Sequence, residues 1–292
     1  MTELRKSLAK YFSFVTFSHT VFALPFAVTG YFLAVTQEGY GFSLRILLLV
    51  LLCMVFARNA AMGFNRYADA AYDSMNPRTA SRELPAGKIS RKSALVFVTV
   101  NSVLFIISAG FINRLTLVLS PVALAVILGY SLTKRFTVLC HFILGLCLSL
   151  APVGAYISVA GRFDLLPLIF SAIVLTWVSG FDIIYSLQDD EFDRQANLYS
   201  IPSVTGRRRA LLISGLLHLL TVMLVIYAGI FGNWGFLYWA GSAVFIILLV
   251  YQHIIVKADD ISKVNIAFAT TNGIASILYA IFVIAGLLVQ SQ

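Results

Sequence analysis

Residues 165–193 read LLPLIFSAIVLTWVSGFDIIYSLQDDEFD. From about 165 to 188 the stretch is apolar and long enough to cross a hydrocarbon layer as a helix. It then runs into Asp189, Asp190, Glu191 and Asp193, with Asp182 already inside the apolar part. A carboxylate next to hydrocarbon is costly and usually marks a site. Working outward, eight similar apolar runs flank this one, at about 12–36, 43–64, 93–112, 115–132, 138–160, 209–231, 234–256 and 265–289. The expected fold is therefore all-α: a polytopic membrane protein with nine transmembrane helices in a bundle. Composition agrees. Of 292 residues, 60% are hydrophobic and 12% charged, about half the usual charged share of soluble domains. The mean hydropathy is +0.90. The first run is too long, and lacks the small-residue site, to read as a cleaved signal peptide.

The loops give the orientation. Lys and Arg collect at Arg5, Lys6 and Lys10, in 58–92, at Lys134 and Arg135, in 194–209, and at Lys257 and Lys263. The alternate loops hold only Arg45, Arg114 and Arg162. By the positive-inside rule the N-terminus lies in the cytoplasm of a cell inner membrane, the C-terminus outside, and both acidic clusters on the cytoplasmic side. The net charge of +8 follows from this topology and gives no argument for a nucleic-acid partner. Cys53, Cys140 and Cys147 have no metal-like spacing and read as buried thiols. His19, His141, His218 and His253 are scattered, without the i,i+3 or i,i+4 pairing of a histidine metal site.

A second acidic cluster lies earlier, at the end of the second run: Asn65, Asp69 and Asp73, spaced four apart. On a helix these stack on one face, and Pro77 stops the helix near Asn76. One amide and two carboxylates offer the hard oxygens that suit Mg²⁺. In the opening stretch, at 3.6 residues per turn, Asp182, Asp189 and Asp193 fall within roughly 40° of arc, with Tyr185 beside them. Glu191 faces away as a solvated bystander, and the direction of Asp190 stays open. Asp182, about two turns deeper than Asp189, calls for a cation or Arg partner. Together the two clusters hold more than half of the chain's thirteen acidic residues. Asp69/Asp73 and Asp189/Asp193 repeat the same spacing on the second and sixth runs. This suggests two pseudo-repeats of four helices, plus one, around a central site.

Basic residues stand nearby. Arg58 precedes Asn65 by seven, on the same helix face and deeper. Arg66, Arg78 and Arg82 flank the first cluster, Lys134 and Arg135 close the fourth run after Tyr130, and Arg194 follows the second cluster. Acids that can hold metal, with Lys and Arg around them, describe a diphosphate site. Lys88, Arg91, Lys92 and Arg207–Arg209 read instead as topology signals.

The pattern Arg58, Asn65-xxx-Asp69-xxx-Asp73, Arg82-Glu83-Leu84-Pro85-Ala86-Gly87, then Asp182-xx-Tyr185-xxx-Asp189-xxx-Asp193 resembles the UbiA-type intramembrane aromatic prenyltransferases over nearly the whole chain. The runs Phe17–Pro25 and Met62–Arg66 resemble most the 4-hydroxybenzoate polyprenyltransferase branch, which includes menaquinone-pathway relatives. Many members carry Asp where this chain has Arg66, which removes one potential metal ligand. The resemblance implies a single transmembrane prenyltransferase domain, 1–292, with a central cavity under cytoplasmic cap loops at about 65–92 and 189–208. It implies Mg²⁺ held by Asn65, Asp69, Asp73, Asp189 and Asp193. It implies a polyprenyl diphosphate bound by Lys134, Arg135, Arg78 and Arg66. Arg58 is expected to bind the aromatic acceptor (4-hydroxybenzoate or a dihydroxynaphthoate), with Asp182 orienting it or taking its proton. Tyr130 and Tyr185 would shield an allylic cation.

Other acceptors within the family (haem, chlorophyllide, glycerol phosphate) fit the same clamp. A secondary transporter would also combine intramembrane acids with repeats, but it would keep its acids nearer the midplane, on broken helices. A CDP-alcohol phosphatidyltransferase would show an Asp-xx-Asp-Gly-xx-Ala-Arg run, which this chain lacks.

Overall fold

The computed structural model describes residues 22–37 and 40–290. The basic N-terminal residues Arg5, Lys6 and Lys10, His19, and the beginning of the first apolar run lie outside the described residues. All regular structure among the described residues is helical: α1 (Leu24–Gln37), α2 (Leu44–Met75), α3 (Arg91–Gly110), α4 (Arg114–Thr133), α5 (Cys140–Ala160), α6 (Leu165–Ser186), the short α7 (Asp190–Gln195) and α8 (Ile201–Thr205), α9 (Arg207–Phe231), α10 (Phe236–Ile255) and α11 (Asn272–Gln290). Eight helical segments are long and apolar enough to cross a membrane, and α1 is a shorter apolar helix. Each of the nine expected runs thus has a helical counterpart in the described residues.

Local chemistry sets the boundaries. Asn113 caps α4 by accepting from the Thr116 amide at 2.8 Å, and Asp164 caps α6 by accepting from Leu165 at 2.6 Å. Gly161, at φ +67°, closes α5 in the left-handed region. Asn76 ends α2 just before Pro77, where the proline's clash with a helical predecessor places the stop. At 32 residues, α2 is about 48 Å long, well beyond the ~30 Å hydrocarbon core. Its last turns, with Asn65, Asp69 and Asp73, therefore project past the apolar part. The first cap segment opens on these turns, so its irregular part starts at Asn76 rather than at residue 65.

The helices close into a ring. α1 packs on α5 and α11, α2 on α3 and α4, α5 on α4 and α6, α6 on α9, and α10 on α11. The apolar part of the α6 segment is 67% buried, against 22% for α4. α6 is therefore the central stave and α4 a wall facing lipid. Gly145 of α5 faces the Leu175 carbonyl and the Ser179 hydroxyl of α6, and the missing side chain is what lets these two helices approach closely. Before α11 the chain makes one π-helical stretch, Ile266–Thr271. The Asn272 side chain donates to the Ala267 carbonyl at 3.0 Å and to the Phe268 carbonyl at 3.2 Å. It also receives the Trp177 indole N–H at 3.0 Å, which ties this stretch to α6.

Candidate active site

The two acidic clusters meet at one end of the bundle. On α2, Asn65 donates to Asp69 at 3.0 Å, the i,i+4 contact expected of a helical stripe. Arg135, just past α4, pairs with Asp69 at 3.4 Å, and Arg82 pairs with Asp73 at 2.6 Å. From the loop after α2, Arg78 reaches across to the second cluster. Its Nε and Nη2 grip Asp189 at 2.9 and 2.5 Å, and Asn76 donates to the same carboxylate at 3.1 Å. Lys134, next to Arg135, pairs with Asp193 at 2.7 Å, and the Ser200 hydroxyl donates to the other oxygen of Asp193 at 2.8 Å. Adjacent basic residues thus serve one acid from each cluster, so the clusters share a single mouth.

Below this mouth lies an apolar cavity of about 610 Å³. Arg58, Asn65, Arg66, Tyr130, Asp182 and Tyr185 line its polar end. Along α4 the lining runs from Tyr130 to Thr116, about 21 Å at helical rise. Tyr185 stacks on Phe268 with ring centroids 4.0 Å apart, a contact presented by the π-helical stretch. Arg78 lies over the same tyrosine ring, 5.8 Å from its centroid.

The geometry modifies several expectations. α6 does not run on to Asp193: a 3-10 turn, Leu187–Asp189, intervenes before α7. Three residues at 3.0 per turn rotate about 60° further than at 3.6, so the 40° stripe is broken. Asp189 turns to Arg78, and Asp193 to Lys134 and Ser200. The deep Asp182 is partnered not by an Arg but by the imidazole of His141 on α5, Nδ1 to Oδ2 at 2.6 Å. Asp190 is buried between Arg194 and Arg207, each at 2.9 Å. Arg207 therefore ties α9 to α7 as well as marking topology. Glu191 is exposed, as expected. Sequence reasoning missed His141, Asn76 and Ser200. His141 had a visible signal, as an imidazole in the first turn of an otherwise apolar run at the same end as Asp182.

No three metal-ligating side chains gather into one cluster among the described residues, because each acid at the mouth is drawn to a basic partner instead. The donor set still fits Mg²⁺. That ion commonly takes one or two carboxylates plus substrate phosphates and water, and Asp73 Oδ2 is buried with no hydrogen-bond partner. The basic residues suit an anionic ligand. Burial would lower the Lys134 ammonium, but Asp193 and Asp189 hold it above the usual lysine value. Burial likewise opposes the Arg78 charge, and Asp189 more than restores it.

The sequence model of the UbiA prenyltransferase family matches residues 23–289. The chain belongs to the UbiA prenyltransferase family. As a UbiA-family member it is a prenyltransferase and a multi-pass membrane protein. It is 30% identical to a 4-hydroxybenzoate octaprenyltransferase of Aliivibrio salmonicida (strain LFI1238) over 241 residues, covering 80% of this chain and 82% of that protein. With the corresponding protein of Aliivibrio fischeri (strain MJ11) it shares 31% over 254 residues, 85% of each chain. Both are named for the branch that the sequence motifs resemble. Among solved structures, the apo UbiA homolog from Aeropyrum pernix K1 is 30% identical, with a TM-score of 0.79 over 94% of this chain and 98% of that one. A UbiA homolog from Archaeoglobus fulgidus bound to GPP and Mg²⁺ has the same fold, at 23% identity, with a TM-score of 0.72 over 96% and 99%.

Proposed function

We propose that this UbiA-family chain transfers a polyprenyl group from its diphosphate to a small aromatic acid, 4-hydroxybenzoate or a dihydroxynaphthoate. The reaction depends on Mg²⁺ and serves ubiquinone or menaquinone biosynthesis. The observation that carries the reading is the meeting of Asp69/Asp73 with Asp189/Asp193, through shared basic partners, at the mouth of an apolar cavity. The names of the two Aliivibrio relatives and the ligands of the Archaeoglobus homolog support it.

Asn65, Asp69, Asp73, Asp189 and Asp193 are the oxygen donors that would hold Mg²⁺. When bound, the ion supplies Lewis-acid neutralisation of charge on the departing diphosphate. Arg66, Arg78, Lys134 and Arg135 bind the phosphate oxygens; to do so, Arg78, Lys134 and Arg135 exchange a carboxylate for a phosphate. The prenyl tail lies along the apolar wall. Tyr185, backed by Phe268, and Tyr130 face the allylic carbon as its bond to oxygen breaks, offering their ring faces to developing positive charge. Arg58 holds the acceptor carboxylate. Asp182 orients the ring or takes the proton released as the new C–C bond forms. The apolar walls disfavour water beside the cation, which would otherwise be captured as an alcohol. The domain spans 1–292, with cap segments at about 65–92 and 189–208. The mouth faces the cytoplasm, where the basic loops lie.

The purified enzyme in lipid, given a polyprenyl diphosphate and Mg²⁺ with either acceptor in separate reactions, is expected to yield one prenylated aromatic acid detectable by mass spectrometry. Chelation of Mg²⁺ is expected to abolish the product. Failure to prenylate any aromatic acid, together with transfer to a glycerol phosphate or uptake of a solute into vesicles, overturns the reading.

A further inference from the structure

The chemistry above makes no use of His141, which is 1% exposed and makes two well-defined ring contacts. Its Nε2 accepts the backbone N–H of Ile201 at 3.2 Å, so that nitrogen carries no proton. A neutral imidazole then bears its hydrogen on Nδ1, which donates to Asp182 Oδ2 at 2.6 Å. This leaves Oδ1 of Asp182 to the cavity that the residue lines. The anchor on the other side of the ring is also informative. Ile201 begins α8, and the residue before it, Ser200, holds Asp193. A reciprocal Ser200–Ser203 capping box stiffens this pair. Two consecutive residues thus fix one carboxylate from the acceptor end of the cavity and one from the diphosphate mouth.

We propose that His141 is a positioning residue for the aromatic acceptor. Its Nδ1–H holds the Asp182 carboxylate in one orientation, and its Nε2 registers that carboxylate against the Ser200–Ile201 corner. The proposal rests on the reading that Asp182 faces the acceptor. It goes further by assigning the control of Asp182 to a histidine on a neighbouring helix.

The two ring nitrogens can be tested separately. Asn places an amide N–H near the Nδ1 position, whereas Gln places its amide near Nε2. Steady-state rates of the full-length enzyme in lipid are measured with the polyprenyl diphosphate and the acceptor varied independently. A hydrogen bond to a charged group contributes about 1.5–3 kcal/mol, which corresponds to ~10–100-fold. His141→Phe and His141→Gln are therefore expected to raise KM for the acceptor ~10–100-fold. KM for the diphosphate should stay within ~3-fold, and His141→Asn should restore acceptor binding to within ~3-fold of wild type. If His141→Phe fails to fold, the Asn/Gln pair decides alone. Full activity of His141→Gln with loss in His141→Asn would reduce the residue to an anchor for α8 and overturn the proposal. A parallel rise in both KM values would do the same. The underlying reading fails separately: Asp182→Asn would then leave the acceptor KM unchanged.

Discussion

Arg78 is the strongest bridge between the halves of the mouth, and removing it tests whether that bridge matters. Its Nε and Nη2 take both oxygens of Asp189, and Nη1 reaches the Tyr185 hydroxyl at 3.4 Å. Hydrogen bonds to a charged group contribute about 1.5–3 kcal/mol. The Arg78 side chain is 34% exposed, so solvent screening brings the expected value down to about 1–2 kcal/mol. Arg78→Ala should therefore lower kcat/KM for the polyprenyl diphosphate ~5–30-fold, at 1.36 kcal/mol per decade. The KM of the aromatic acceptor should hardly move. Arg78→Lys keeps the charge but loses the planar two-point grip, and should recover only part of the loss. A double-mutant cycle with Asp189→Asn should return a coupling of about 1–2 kcal/mol. Steady-state kinetics in lipid, with each substrate varied in turn, provide the assay. Full activity of Arg78→Lys would refute the argument from bidentate geometry. A kcat/KM within ~2-fold of wild type for Arg78→Ala would refute the argument that the bridge serves diphosphate binding at all.

Three further outcomes are expected. Asp73→Asn, which alters a buried carboxylate with one unpartnered oxygen, should raise the Mg²⁺ concentration for half-maximal rate by ~10-fold or more; Lys88→Ala, in the same cap segment, should leave it unchanged in a Mg²⁺ titration. Gly145→Ala would push a methyl group into the Leu175 backbone carbonyl, which cannot swing away; overpacking of this kind costs about 1–3 kcal/mol and should appear as a lower thermal midpoint in detergent. Because Lys134 is held above the usual lysine value, it stays charged below that value, and its contribution is lost only as pH rises through the raised one. The destabilisation by Lys134→Ala should therefore be flat between about pH 6 and 9, as read from unfolding midpoints.

The helical frame was legible because bilayer thickness imposes a length on every apolar run. The last turn of α2 was legible too, since Pro77 forbids the helix beyond Asn76. The acids themselves were visible as polar exceptions in an apolar chain. Their partners were not. Arg78 meets Asp189 across 111 residues of sequence, and no periodicity encodes which loop residue bends back over which helix end. The break between α6 and α7 was hidden for a related reason: Leu-Gln-Asp suits a 3-10 turn or an α-turn equally well, and tertiary pairing decides between them. His141 could have been proposed from its depth alone, because a carboxylate buried at that level needs a donor. Spacing rules aimed at metal sites passed over it.

The π-helical stretch Ile266–Thr271 has a consequence for deletions. A π turn holds one more residue than the α-helix around it. Shortening 266–271 by a single residue would let the coil close to ordinary α winding, so that the wide turn and the side-chain directions within it are lost. Phe268 would leave the face of Tyr185, and the Asn272 amide would lose the carbonyls it now serves. A deletion of one residue, in a segment that carries no charged side chain of its own, would thus reshape the ceiling of the lipid-tail chamber beside Tyr185.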